Sequence, residues 1–213
     1  MAVVLIGKSR NVFALGLAFG FITLISCAKI RYPDYYVLNA PAPPSSNRAH
    51  GPVAGALAVR EFRAPVFLRE GAIVYRSSPE QIDFYNYHRW AEDPRRAVTA
   101  LVIQRLQADG FFRSVDAYDG RSSTELVLSG TLDRLEELDR DGKVSVQVAI
   151  SARLVSAKTG EVLWQGTSSE SATPDQHTIA AIVAEMSRQM GRSVESLVLS
   201  MEDRVSVVTT AER

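Results

Sequence analysis

Val144-Ser145-Val146-Gln147-Val148-Ala149-Ile150-Ser151-Ala152-Arg153-Leu154 is the stretch from which the fold can be read. Val144, Val146, Val148, Ile150, Ala152 and Leu154 fall on one side of an extended chain. Ser145, Gln147, Ser151 and Arg153 make the other side mostly polar. Alternation of this length predicts a strand in a sheet with one buried face and one wet face. Upstream, Asp141-Gly142 is a hairpin turn that joins it to a strand over about Glu125 to Leu138. Downstream, Thr159-Gly160 turns the chain into a third strand, Glu161 to Ser169, with Val162 and Trp164 on one face. The three strands form a meander.

Helices flank this meander in the chain. Asp93 is a good N-cap and Pro94 suits the first helical position. Val98, Leu101, Val102 and Leu106 then recur at helical spacing, and Gly110 is a stop. Phe111 to Tyr118 reads as the strand that follows. After the meander, Thr173-Pro174-Asp175-Gln176 has the pattern of a capping box. Ile179, Ile182, Val183, Met186, Met190, Val194, Leu197 and Val198 make one apolar stripe, and the helix is expected to run to about Arg204. Gly191 weakens it by about 1 kcal/mol relative to Ala. Nearer the start, Tyr35 to Leu38, Leu57 to Phe62 and Ala72 to Arg76 read as strands. Ser77 to Glu80 is a turn into Gln81 to His88, which suggests a hairpin. The expected fold is α+β: one domain, an antiparallel-rich sheet with two main helices packed on one face.

Composition sets bounds on function. Hydrophobic residues make up 46% of the chain, enough for a real core. The formal charge is zero, so no basic surplus argues for nucleic acid. Lys8 and Arg10 precede an uncharged run from Val12 to Ile25, short for a bilayer span of ~20 residues and suited to the apolar core of a secretory signal. The sole cysteine, Cys27, closes this run. Leu24-Ile25-Ser26-Cys27 resembles the lipobox of bacterial lipoproteins, with Leu24, Ile25 and Ser26 as the signal-peptidase recognition residues. That resemblance implies that Cys27 takes a diacylglyceryl group and, after cleavage, a further acyl chain such as palmitate. An ordinary signal or a short membrane anchor with a chance cysteine is the alternative. Two or more acyl chains anchor stably. Cleavage would remove two bases and no acid, leaving two more acids than bases.

The expected organisation is a leader over 1–26, a lipidated cysteine and tether over 27–34, a folded domain over 35–204 and a loose tail over 205–213. Ala28 to Asp34 reach at most ~25 Å, so the body is expected to sit close to its membrane. Ala28 lacks the acidic residue that tends to hold enteric lipoproteins in the inner membrane, which favours the outer membrane facing the periplasm.

Tyr35-Tyr36-Val37-Leu38, soon after this leader, resembles the opening of the ABC-type transport auxiliary lipoproteins, the PqiC/YmbA-like family. A second block agrees: Leu68 to Arg76, then Tyr85 and Tyr87, then Arg89-Trp90-Ala91-Glu92-Asp93-Pro94, and later Gly110-Phe111-Phe112-Arg113-Ser114-Val115. The resemblance implies a non-enzymatic docking partner of an MCE-domain protein with its ABC permease and ATPase, in intermembrane transport of lipids or other hydrophobic compounds. It also suggests a homo-oligomeric ring.

Tyr75, Tyr87 and Trp90 are candidates for a partner interface, since aromatic residues are enriched at interface cores. The competing reading packs them inside, above all Trp90 beside the helix cap. Asp133, Glu136, Glu137, Asp139 and Asp141 lack the calcium-loop pattern and read as a solvated strand end. Arg95-Arg96 face solvent, lipid phosphates or a partner's acids. His50, His88 and His177 show no zinc spacing, and no nucleophile elbow, phosphate loop or dinucleotide fingerprint is present. No cofactor or metal is expected. A structural lipoprotein that assists assembly of another outer-membrane complex, or less readily a lipoprotein hydrolase, would share the same anchor and body.

Overall fold

The computed structural model describes residues 31–40, 52–120 and 124–211. The recognition residues Leu24, Ile25 and Ser26, the acceptor Cys27, and His50 lie outside them. The folded unit begins at Pro33.

Its strands are β1 (Asp34–Tyr36), β2 (Ala54–Val59), β3 (Ala72–Arg76), β4 (Asp83–Trp90), β5 (Phe112–Ala117), β6 (Leu126–Arg140), β7 (Lys143–Ser156) and β8 (Val162–Ala172). Its helices are α1 (Pro94–Asp109) and α2 (Ile179–Ala211), with a short 3-10 turn at Val66–Arg69. All eight strands form one sheet. The long strand β6 is its spine. Along one edge β7 pairs antiparallel for the full length, from Leu126↔Ser156 to Arg140↔Lys143, and β8 follows antiparallel outside β7.

The other edge of β6 is shared. β2 pairs parallel with its first part, Leu57↔Leu126 to Val59↔Leu128. β3 pairs parallel with its last part, Val74↔Glu136 to Arg76↔Leu138. Between them the chain still tracks β6. Arg63 N–H donates to Gly130 O at 2.9 Å, and Leu132 N–H donates to Arg63 O at 2.8 Å. Pro65 then breaks the track, because it has no N–H to give to a ladder. The 3-10 turn buries Leu68 and leads back to β3. β5 lies outside β2, and β4, then β1, lie outside β3.

The order and pairing of the meander strands, its first turn and both caps of α1 match expectation. Asp141 and Gly142 both adopt positive φ, 53° and 71°, as a two-residue hairpin turn of this type requires. The Asp93 carboxylate accepts from the Arg95 amide at 2.9 Å, and Gly110 ends α1 at φ 66°. The fold is α+β, with α1 against β5 and α2 across β7 and β8 on one face of the sheet.

Three local expectations differ. β8 holds register with β7 as far as Ala172↔Val146, so Thr173 to Thr178 is needed to cross to the helix layer. No capping box forms at Thr173. Thr178 caps α2 instead, its hydroxyl accepting from Ala181 N–H at 3.3 Å. The helix passes through Gly191 without a break and runs past Arg204 to Ala211, because Met201 and Val205 extend the buried stripe. Val162 and Trp164 do not share a buried face. A bulge beside Leu154/Val155 turns Val162 out to solvent. Trp164 stays buried, its indole N–H donating to Ser200 Oγ at 3.3 Å.

Two glycines admit large rings to the core. A Cβ on Gly130 would stand 2.2 Å from Phe62 Cε1, and one on Gly166 would stand 2.5 Å from Trp164 Cζ2. Gly130→Ala should cost about 1–3 kcal/mol by overpacking. Phe62→Ala should cost about 3–5 kcal/mol. In the Phe62→Ala background, Gly130→Ala should become nearly neutral in urea unfolding, a coupling that additive costs would contradict.

Candidate functional site

One sequence candidate, Tyr75, lies at the end of β6 where β3 pairs with it and β4 lies outside β3. The rings of Tyr75 on β3 and Tyr85 on β4 meet at a 4.9 Å centroid distance, tilted by 44°. Tyr85 donates its hydroxyl to Glu137 Oε2 at 2.7 Å. The Tyr85 ring meets His88 edge-on at 5.8 Å, and His88 in turn meets the Tyr36 ring at 5.7 Å. Tyr36 OH and His88 Nδ1 share a hydrogen bond of 3.1 Å, with Asp34 Oδ2 3.6 Å from the same nitrogen. The result is a chain of aromatic and polar contacts from β1 to β6.

Tyr75, Tyr87 and Trp90 do not form one surface. Trp90 is 6% exposed and belongs to the core; Tyr87 is 41% exposed. The sequence reading named Tyr85 in the family block but not among the interface candidates, and it makes the central contact. Its signal was its place between Tyr75 and Glu137 in space, and spacing along the chain does not carry that information.

The acidic stretch is not a solvated strand end throughout. Glu136 is 0% exposed and Glu137 is 3% exposed. Glu136 lies on the face away from the helices. Arg76 donates to it through Nε at 3.2 Å and Nη2 at 3.1 Å, and Arg134 through Nη1 at 2.8 Å. Burial is possible because β3 and β4 bring charge and hydrogen-bond partners from distant parts of the chain. No group of His, Cys, Asp and Glu suited to a metal ion occurs among the described residues. Arg95 does not face outward alone. Its Nε donates to Asp93 Oδ2 at 2.9 Å, and Nη1 lies 3.8 Å from Glu61. The hydrogen bond from Arg95 holds the Asp93 carboxyl below its ordinary pKa.

The electrostatics of the cluster favour neutral phenols. Burial, then the Glu137 carboxylate, pushes the Tyr85 hydroxyl well above the ordinary tyrosine range. Burial and Asp34 raise Tyr36 as well. Both phenols are thereby held away from the phenolate form, and Tyr85 serves as the hydrogen-bond donor to Glu137.

Burial also raises Glu137, although the Tyr85 hydrogen bond and His177 oppose it. The native state thus holds the Glu137 proton more tightly than the unfolded chain. Stability from this group is greatest in acid and falls as pH rises from the ordinary value of 4.5 through the raised one. Tyr85→Phe removes the donor that supports the carboxylate. It should cost about 1–3 kcal/mol, with a larger loss of melting temperature at neutral pH than at about pH 4. Equal losses at both pH values would show that Glu137 is not the group responsible.

Comparison with known proteins supplies the family. The model for the ABC-type transport auxiliary lipoprotein component matches residues 36–198. No curated protein matches the chain in sequence. Among solved structures, protein XCC0632 from Xanthomonas campestris is similar with a TM-score of 0.70 at 15% identity, over 84% of this chain and 100% of that one. The hypothetical protein CT253 from Chlamydia trachomatis is similar with a TM-score of 0.50 at 10% identity, over 72% of this chain and 99% of that one. Identities this low speak for the fold, whereas the family match takes in almost the whole sheet and most of α2, and the chain therefore belongs to the ABC-type transport auxiliary lipoprotein component family.

Proposed function

We propose that this protein is a non-enzymatic docking partner in an ABC/MCE-type system that moves lipids or other hydrophobic compounds between membranes. The family match over residues 36–198 is the observation that carries the reading. A protein of this lipoprotein family is a cell-envelope protein held by lipid. Acylated Cys27 is proposed as the anchor, with Leu24, Ile25 and Ser26 read by the signal peptidase. The outer membrane, facing the periplasm, is the proposed site. No described helix is long and apolar enough to cross a membrane.

Geometry supports docking over bridging. Residues 28–34 reach at most ~25 Å, too short for one domain to span the envelope alone. A longer MCE-domain assembly, with its permease and ATPase at the inner membrane, would come to it. A homo-oligomeric ring would let several short-tethered domains receive one such end. Exposed Tyr87 and half-buried Tyr75 are the proposed aromatic contacts.

Affinity purification of the lipidated protein from mild-detergent membranes should recover an MCE-domain protein, its permease and its ATPase, identified by mass spectrometry. Reproducible recovery of a secretin or lipopolysaccharide-export complex in their place would replace this reading with an assembly role. Turnover of a generic ester would replace it with a hydrolase. Cys27→Ser should move the protein out of the outer-membrane fraction of a density gradient, and unchanged sedimentation would remove Cys27 as the anchor.

A further inference from the structure

The geometry points to a groove on the sheet face opposite the helices that docks an extended, acidic segment of a partner protein. The groove has a volume of about 1170 Å³ and crosses β6, β7 and β8, with the segment that follows β2, carrying Arg60, Glu61 and Arg63, along its far side. That is above the ~300–1,000 Å³ usual for small-molecule sites. The three strands and the Arg63 segment that tracks β6 place three spacings of ~4.8 Å across its floor, about 14 Å. An extended chain at ~3.3 Å per residue would cross it in about four residues.

The lining is basic and rich in hydroxyls. Arg60, Arg63, Arg153 and Lys158 contribute four positive charges to it. Glu61 is the one acid among the described lining residues, and Arg95 from α1 stands 3.8 Å from it. Two of the arginines are held in place. Arg60 stacks over the Tyr118 ring at 4.2 Å, and Arg153 Nε donates to Ser129 Oγ at 3.4 Å. Between the charges, register aligns Thr131, Ser151 and Thr167 in one row across β6, β7 and β8. Hydroxyl rows suit the backbone and polar side chains of an extended peptide, and guanidinium groups suit its carboxylates bidentately. The hydroxyl row on the floor, flanked by guanidinium groups, matches the alternating backbone and carboxylates of an acidic chain segment, which is therefore the proposed occupant.

This inference concerns what the groove binds and holds independently of which transport system the protein serves. The test uses the full lipidated protein in nonionic detergent and a fluorescent peptide of alternating Glu and Ser, roughly ten residues long. Anisotropy should show saturable binding that weakens from about 50 mM to about 300 mM salt. Binding should be at least about tenfold tighter than that of a Lys and Ser counterpart. The Arg63→Glu/Arg153→Glu pair should lower affinity about tenfold or more while the melting temperature holds. If that pair fails to fold, Arg63→Gln/Arg153→Gln replaces it with the same expectation in sign. Equal affinity for both peptides, no binding, or no effect of either pair would overturn the inference. Displacement of the peptide by phosphatidylglycerol doped into the micelle would also overturn it, and would assign the groove to anionic lipid headgroups.

Discussion

The structure depends on satisfying both edges of β6. A strand from Leu126 to Arg140 exposes amides and carbonyls on each side, and buried backbone groups require partners. β7 supplies one whole edge through a tight turn. The other edge is met in two instalments, by β2 and β3, with Arg63 bridging to Thr131 between them. The remaining elements follow from this arrangement. β5 and β4 extend the two branches, α1 connects those branches, and α2 closes the face where β7 turns its aliphatic side chains.

A bulge between Leu132 and Arg134 is the second constraint. Before it, Leu128, Gly130 and Leu132 point with the even-numbered residues of β7 towards the helices. After it, the odd-numbered Leu135 and Glu137 take over that face. One extra residue thus moves Glu137 to the helix side and Glu136 to the opposite side. Each then needs its own answer to burial. Glu136 receives Arg76 and Arg134, and Glu137 receives the Tyr85 hydroxyl. Without the shift in parity, the row that packs against α2 would continue into Arg134 and Glu136.

What could be read from the sequence follows from how local each signal is. The alternation of β7, the Asp141-Gly142 turn, the Asp93 cap and the Gly110 stop each involve residues that are close in the chain, and the structure places them as the sequence implies. Parallel pairing of β2 and β3 onto β6 leaves no such trace, because periodicity tells a strand's face and not its neighbour. Burial of Glu136 and Glu137 was hidden for the same reason. Arg76 and Tyr85 lie 60 and 52 residues away from the carboxylates they meet. At Trp90, the position beside a helix cap already favoured the core. Tyr75 and Tyr87 gave no comparable sign of which one would stay exposed.

The charges divide into those that hold the fold and those that it displays. Arg76 is matched to Glu136, Arg105 to Glu195 and Arg188 to Glu185. Buried or half-buried pairs of this kind answer a desolvation cost and are poor candidates for recognition, because a partner would have to displace a carboxylate already in place. On the open face, Arg60, Arg63, Arg153 and Lys158 meet one acid, and Arg95 lies beside that acid. A chain with no net charge overall therefore presents a local positive field on one face of its sheet. Such a separation costs little, since these side chains stay in water, and it directs an acidic partner to the groove more than it binds tightly. The docking role proposed for this protein fits that balance, with specificity set by the shape of the groove and the reach of its guanidinium groups.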